Sequence, residues 1–211
     1  MPKNNNKFIL MADIIGSRNK ESKKLISDFK KLVKNISSNN KDTFLSPLTI
    51  TLGDEFQSVV KSLSDGINII FQIEETIIKK EYNFKLRYIL YYGPIDTAIN
   101  KESAYGMLGD GLTKARESLN NLRPAENRIL LELQNRKSQT FNMLFFIYSS
   151  IIDKWKQSDF KLLTNFFEYG DYKIVAQKMK REKGNTWRKA KTLQIQQYFT
   201  TKKLINEIIK L

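Results

Sequence analysis

Two carboxylates stand out as groups that could do chemistry. Asp13 closes an apolar run that begins with Phe8-Ile9-Leu10-Met11-Ala12, and Asp54 sits in Thr51-Leu52-Gly53-Asp54-Glu55-Phe56-Gln57, on a glycine turn. The chain has no His and no Cys. Imidazole and thiolate metal sites, Ser-His and Cys-His nucleophiles, disulfides and iron–sulfur clusters are therefore excluded. Metal chemistry is left with oxygen ligands, which suit magnesium or manganese. Two carboxylates brought together repel and raise one another's pKa unless a cation lies between them. Asp13 and Asp54, with the main-chain carbonyl of Ile14 as a further oxygen, form a candidate divalent-metal site for Mg2+ or Mn2+ that would accept substrate phosphates. The alternative is structural: Asp13 caps the following turn, and Asp54 favours a hairpin bend.

The elements around these residues must bring them together. Lys7 to Ile15 has the length and continuous apolarity of a strand buried on both faces. An amphipathic helix follows, with Leu25, Phe29, Leu32, Val33 and Ile36 on one stripe, and the polar segment 37–42 reads as a loop. Residues 48–52 and 56–60 read as two strands joined by a tight turn at Gly53-Asp54. A second helix, capped by Ser64, carries Ile67, Ile70, Phe71, Ile73, Glu74 and Ile77 or Ile78 on its stripe, with one charge among the apolar positions. Residues 84–92 give a fourth strand. The order is that of the split ferredoxin-like arrangement, βαββαβ, which sets the end of the first strand beside the turn that carries Asp54. A short helix is expected over 112–122; residues 128–133 fit either a strand or a helix. From Gln139 onward the sequence reads as helix, with Met143, Phe146, Ile147, Ile151 and Trp155 forming an inward stripe.

The expected architecture is thus α+β: a ferredoxin-like domain over 1–150, followed by a small all-α domain over 151–211. The second part is strongly basic. Residues 171–211 hold eleven Lys or Arg against three Asp or Glu, a local excess of +8 within a chain of net charge +14. Residues 171–180 read as the first helix of a helix-turn-helix, with Ile174, Val175 and Met179 facing inward and Ala176 allowing close helix crossing. Gly184-Asn185 would form the turn, and Thr186 would cap a second helix from Trp187. That helix would carry Arg188, Lys189, Lys191 and Gln194 toward DNA, and Lys180, Arg181 and Lys183 would meet its backbone. Trp187 is assigned to the core. The alternative is a solvated basic face that packs on the first domain.

The N-terminal apolar patch is broken by Asp13 and followed by no small-residue cleavage site, and Met143 to Ile152 is too short to cross a bilayer. A cytoplasmic protein with no membrane partner is the simplest expectation.

The motifs 12–17 (ADIIGS), 51–56 (TLGDEF), 87–95 (RYILYYGPI) and 109–119 (GDGLTKARESL) resemble, in order and spacing, the landmarks of class III nucleotide cyclases. The 51–56 motif also resembles the signature of diguanylate cyclases, and combined with the basic helical tail the four motifs are closest to the SatD family of bacterial proteins. The cyclase resemblance implies a nucleotide-cyclase-type fold in which Asp13 and Asp54 hold two metal ions on a nucleoside triphosphate. It also implies a homodimer in which Arg116 acts catalytically on the transition state across the interface. Three positions depart from that pattern: Leu112 stands where cyclases have the ribose-orienting asparagine, Ile50 where purine-using cyclases have a base-reading lysine, and Leu52 where the diguanylate signature has its first glycine. Three functions follow. One is a regulator with a metal-nucleotide-binding domain and a DNA-contacting helix-turn-helix. The others are an active nucleotidyl cyclase and a scaffold whose ancestral activities have lapsed.

Overall fold

The structure is a computed structural model that describes residues 5–17, 23–123 and 125–210. Five strands form one sheet: β1 (Asn6–Ile14), β2 (Phe44–Leu52), β3 (Glu55–Val60), β4 (Leu86–Pro94) and β5 (Ile129–Glu132). Their spatial order is β2-β3-β1-β4-β5. β1 pairs antiparallel with β3 and with β4, and β2 with β3. The first four strands, with α1 (Lys23–Asn39) and α2 (Leu63–Lys79), are therefore the expected ferredoxin-like unit. The ambiguous segment 128–133 resolves as strand, pairing parallel with β4 at the sheet edge.

The continuous apolarity of β1 has the cause expected of a central strand. Ile9, Leu10, Met11 and Ala12 are all fully buried. Leu10, Ala12 and Ile14 join the core under α1 and α2. Ile9 and Met11 face the other way, into a second cluster with Ile89, Tyr91, Leu112, Ala115 and Leu119. That second face is covered by α3 (Asp110–Asn121), which packs on β1 and β4. The 109–111 glycines make this packing possible. A Cβ on Gly111 would lie 2.6 Å from the Pro94 carbonyl oxygen, and Gly109 has a φ of 153° and passes within similar reach of the same strand end.

Several element boundaries differ from expectation. α1 runs through the first half of the presumed loop, to Asn39. The cap of α2 is Ser62, whose side chain accepts from the Asp65 N–H, so Ser64 lies inside the helix. The charged position of the α2 stripe, Glu74, is answered by Arg128. Arg128 sends Nη1 and Nη2 to the two Glu74 oxygens at 2.9 and 2.8 Å, Nη1 to the Leu86 carbonyl at 2.8 Å, and Nε to Asp153 at 2.9 Å. The Tyr88 hydroxyl donates to the same Glu74 at 2.6 Å. Burial acts to lower the Arg128 pKa, but Glu74 and Asp153 carry it well above the ordinary arginine value.

Five further helices complete the chain: α4 (Lys137–Ile152), α5 (Phe160–Tyr169), α6 (Tyr172–Lys178), α7 (Lys183–Thr192) and α8 (Ile195–Lys210). α4 buries Phe141, Phe145, Tyr148 and Ile152, whereas Met143, Phe146 and Ile147, expected on its inner face, are half exposed. The helix is apolar on nearly every side, so composition alone does not identify the face that packs. α8 packs on α4 and α2, and α5 on α2. Phe166, Tyr198 and Ile205 belong to the same apolar cluster as the sheet residues Leu10 and Leu90. The Tyr198 hydroxyl donates to Glu75 at 2.9 Å, and Lys202 also donates to Glu75. Among the described residues, no helix is long and apolar enough to cross a membrane.

Candidate functional site

The strand register decides what surrounds Asp13. It lies opposite Glu55 of β3 and opposite Arg87 of β4, so three charged side chains stand side by side on the face covered by α3. Asp54 lies in the β2–β3 turn, and its carbonyl accepts from the Ile14 N–H at 3.1 Å. The two carboxylates picked from the sequence are therefore brought to the same end of the sheet.

The cation beside Asp13 is part of the chain. Arg87 grips the carboxylate through both oxygens, Nε to Oδ1 at 2.6 Å and Nη2 to Oδ2 at 2.7 Å. Its remaining nitrogen, Nη1, donates to the Leu122 carbonyl at 3.0 Å, tying the end of α3 to β4. These bonds to Asp13 raise the arginine's pKa; burial opposes the rise, and the charges of Asp13, Glu55 and Asp54 add to it. Glu55 is answered likewise. Arg116 reaches Oε1 at 2.7 Å and the Thr51 hydroxyl donates to the same oxygen at 2.7 Å.

As arranged, with Asp13 held by Arg87, this donor set does not hold a divalent ion. Both Asp13 oxygens are already bonded to a guanidinium, Glu55 is held by Arg116 and Thr51, and no three acidic side chains among the described residues converge as ligands would. Glu55 and Arg87 were not singled out in the sequence. Glu55 is shielded from notice by its neighbour Asp54. A lone Arg in the apolar run Leu86–Tyr92, one residue from the strand start, was a usable signal once β1 and β4 were aligned antiparallel.

The departures from the cyclase pattern also have physical counterparts. Leu112 is buried in the same cluster as Ile9, Met11 and Ile95 and serves as core, and Leu52 is the exposed last residue of β2. Ile50 is partly buried against the core on the α1 side.

The second region of interest is α6 and α7. The turn joining them spans residues 179–182, with Lys180 at a φ of 51°, and is not at Gly184-Asn185. Asp171 caps α6, accepting from the Lys173 and Ile174 N–H groups. Glu182, not Thr186, caps α7, accepting from Gly184 and Asn185 at 2.8 and 2.9 Å. Thr186 is buried inside the helix and donates to the Glu182 carbonyl. Val175 and Ala176 form the inner face of α6, whereas Ile174 is exposed.

The seven positions expected to meet DNA divide. Lys180, Arg181, Lys183, Arg188 and Lys191 are exposed, and none is in an ion pair among the described residues. Arg188 donates only to Asn185, at 2.6 Å. Lys189 turns inward and pairs with Asp159 at 2.7 Å. Gln194 lies beyond the end of α7, at a φ of 55°. Trp187, assigned to the core, is 47% exposed, with Lys191 Nζ 5.7 Å from its ring centre.

The fold and site define an α+β protein with a ferredoxin-like sheet, an added edge strand and a helical, basic C-terminal part. The SatD family model matches residues 8–209, and the chain belongs to that family. No match was found among curated proteins. Among solved structures, a bacterial light-regulated adenylyl cyclase is similar, at 16% identity over 60% of this chain and 74% of that one, with a TM-score of 0.46. The monomeric guanylyl cyclase domain of the RhoGC fusion protein from the aquatic fungus Blastocladiella emersonii is similar at 16% identity over 69% of this chain and 86% of its own, with a TM-score of 0.41. The adenylyl cyclase CyaB from P. aeruginosa is similar at 11% identity over 64% and 79%, with a TM-score of 0.40.

Proposed function

We propose that this SatD-family protein is a regulator that contacts DNA through the basic surface of α6 and α7, within a helical unit spanning 151–211. The observation that carries the reading is the set of unanswered cations there. Lys178, Lys180, Arg181, Lys183, Arg188 and Lys191 are exposed on two short helices and their turn, and none has an acidic partner among the described residues. A polyanion with closely spaced phosphates supplies what this surface lacks, and release of its counterions drives binding.

The test is anisotropy of a labelled random-sequence duplex titrated with protein at several salt concentrations. About five phosphate contacts give a log–log salt slope of about −4 to −5. A slope near zero rejects the reading.

A second reading concerns the 1–150 portion: a nucleoside triphosphate carried with Mg2+ or Mn2+ at Asp13, Asp54 and the Ile14 carbonyl, with Arg116 nearby. It is favoured by one observation, that the Asp54 carboxylate makes no hydrogen bond or ion pair among the described residues while lying at the end of β1. It requires Arg87 to leave Asp13. Calorimetry of Mn2+ with ATP and GTP, on the wild type and on Arg87→Ala, tests it: uptake by neither protein ends this reading, and sedimentation of the same samples reports any homodimer.

A further inference from the structure

The exposed tryptophan on α7 is not accounted for by contact with a DNA backbone. A large aromatic side chain loses free energy by facing water, and the apolar contacts that usually hide one are available nearby: Trp155, the chain's other tryptophan, is buried against Phe167 and Tyr198 and donates its indole N–H to the Leu193 carbonyl at 2.8 Å. α7 is anchored on a different side, by buried Thr186 and by the Lys189–Asp159 pair. That anchoring directs positions 183, 187 and 191 outward at four-residue spacing. Lys183, Trp187 and Lys191 thus form one exposed stripe, an aromatic ring between two cations. Arg188 flanks the ring, and Lys180 and Arg181 extend the positive surface through the turn.

We infer that this stripe is a binding platform for single-stranded nucleic acid, in which an unpaired base stacks on the Trp187 indole while Lys183, Lys191 and Arg188 hold the phosphates on either side. The inference rests on the nucleic-acid reading of the basic surface and names its substrate. A duplex hides the faces of its bases and can use only the cations, whereas a single strand uses the ring as well. Alternating positive charge and one rigid, solvent-facing aromatic ring match a flexible strand whose bases and phosphates alternate along its length. Lys191 Nζ lies 5.7 Å from the ring centre, beside an indole that is 47% exposed.

The experiment uses the whole chain with oligothymidylate of about 15 nucleotides and with a duplex of equal length. Intrinsic fluorescence reports the contact directly, because Trp187 is the exposed one of two tryptophans. The expected results are tighter binding of the single strand than of the duplex, quenching of tryptophan emission on binding, and loss of that quenching in Trp187→Phe. Trp187→Ala weakens single-strand binding by about 5- to 150-fold, the range that follows from loss of one stacked base, and leaves duplex binding and thermal stability unchanged. Trp187→Phe, which retains a ring, keeps most of the affinity.

Equal affinity of Trp187→Ala for the oligonucleotide, or binding without quenching, overturns the stacking inference while leaving the DNA reading in place. Absence of binding to either nucleic acid overturns both. Concentration-dependent burial of Trp187 without nucleic acid, seen as self-association in sedimentation that Trp187→Ala abolishes, assigns the ring to a protein interface and also overturns the inference.

Discussion

At the sheet end, every acid but Asp54 is met by an arginine; on α6 and α7, none of the exposed cations is met by an acid among the described residues. Asp13 is held by Arg87 and Glu55 by Arg116 within 2.7 Å. On α7 only the inward-facing Lys189 has an acidic partner. Charge that is answered inside the fold has spent its attraction on holding strands and helices together. Charge left open on the surface retains it for a partner. This contrast separates the two regions more clearly than the number of charges in each.

The contrast can be broken, or sharpened, at four points. The largest effect is expected at the most enclosed pair. Arg128→Ala leaves Glu74 buried without a counterion and costs about 3 to 5 kcal/mol in chemical denaturation. Replacing both partners with apolar residues of similar size recovers part of that loss. A cost under about 1 kcal/mol would mean that the pairing contributes little.

Arg87→Ala comes next, at about 1.5 to 3 kcal/mol, the range for hydrogen bonds to charged groups. It removes two bonds to Asp13 and leaves three acids, Asp13, Asp54 and Glu55, close together. Its loss of stability should shrink as salt rises; salt-independence would count against the electrostatic account.

Glu75 gives a smaller effect with a defined pH signature. Burial acts to raise its pKa, but the charge of Lys202 and hydrogen bonds from Lys202 and Tyr198 leave it below the ordinary value of 4.5. A carboxylate depressed in the folded state stabilises fully above its unfolded pKa, and that stabilisation is lost as pH falls through the lower folded value. Glu75→Gln should therefore cost about 1 kcal/mol at neutral pH, and the difference from wild type should close in acid, below pH 4.5. A difference that is constant with pH would remove Glu75 as its source.

The smallest effect on stability is expected where the cations are open. Lys183→Glu, Arg188→Glu and Lys191→Glu together change stability by less than about 0.5 kcal/mol, yet lower the salt slope of DNA binding by about 3 if each meets one phosphate. A large loss of stability would show that the surface is structural and erase the contrast.

Much of the sheet was legible because its periodicity has a direct cause. The apolar run of β1 requires burial on both faces, and the Gly53-Asp54 turn requires two antiparallel strands. The helical part was less legible. α4 is apolar on almost all sides, so Met143, Phe146 and Ile147 could not be told from Phe141, Phe145 and Tyr148. At α7, Glu182 starts the helix four residues before the expected Thr186, and the side that packs, with Thr186 buried and Lys189 paired to Asp159, leaves Trp187 outward. Near Asp13, the sequence reading called for a divalent cation, whereas the cation bonded to Asp13 in the fold is Arg87, 74 positions away along the chain.

By itself the sequence determined the α+β class, the ferredoxin-like order of elements, the limitation to oxygen and nitrogen chemistry imposed by the lack of Cys and His, and the concentration of positive charge near the C-terminus. These are local or compositional properties, carried by side-chain period and residue type. Only the tertiary structure decided which acids are answered and which cations are left open, because an ion pair depends on strand register and helix rotation. A shift of one residue in either moves a side chain to another face and gives its charge a different neighbour.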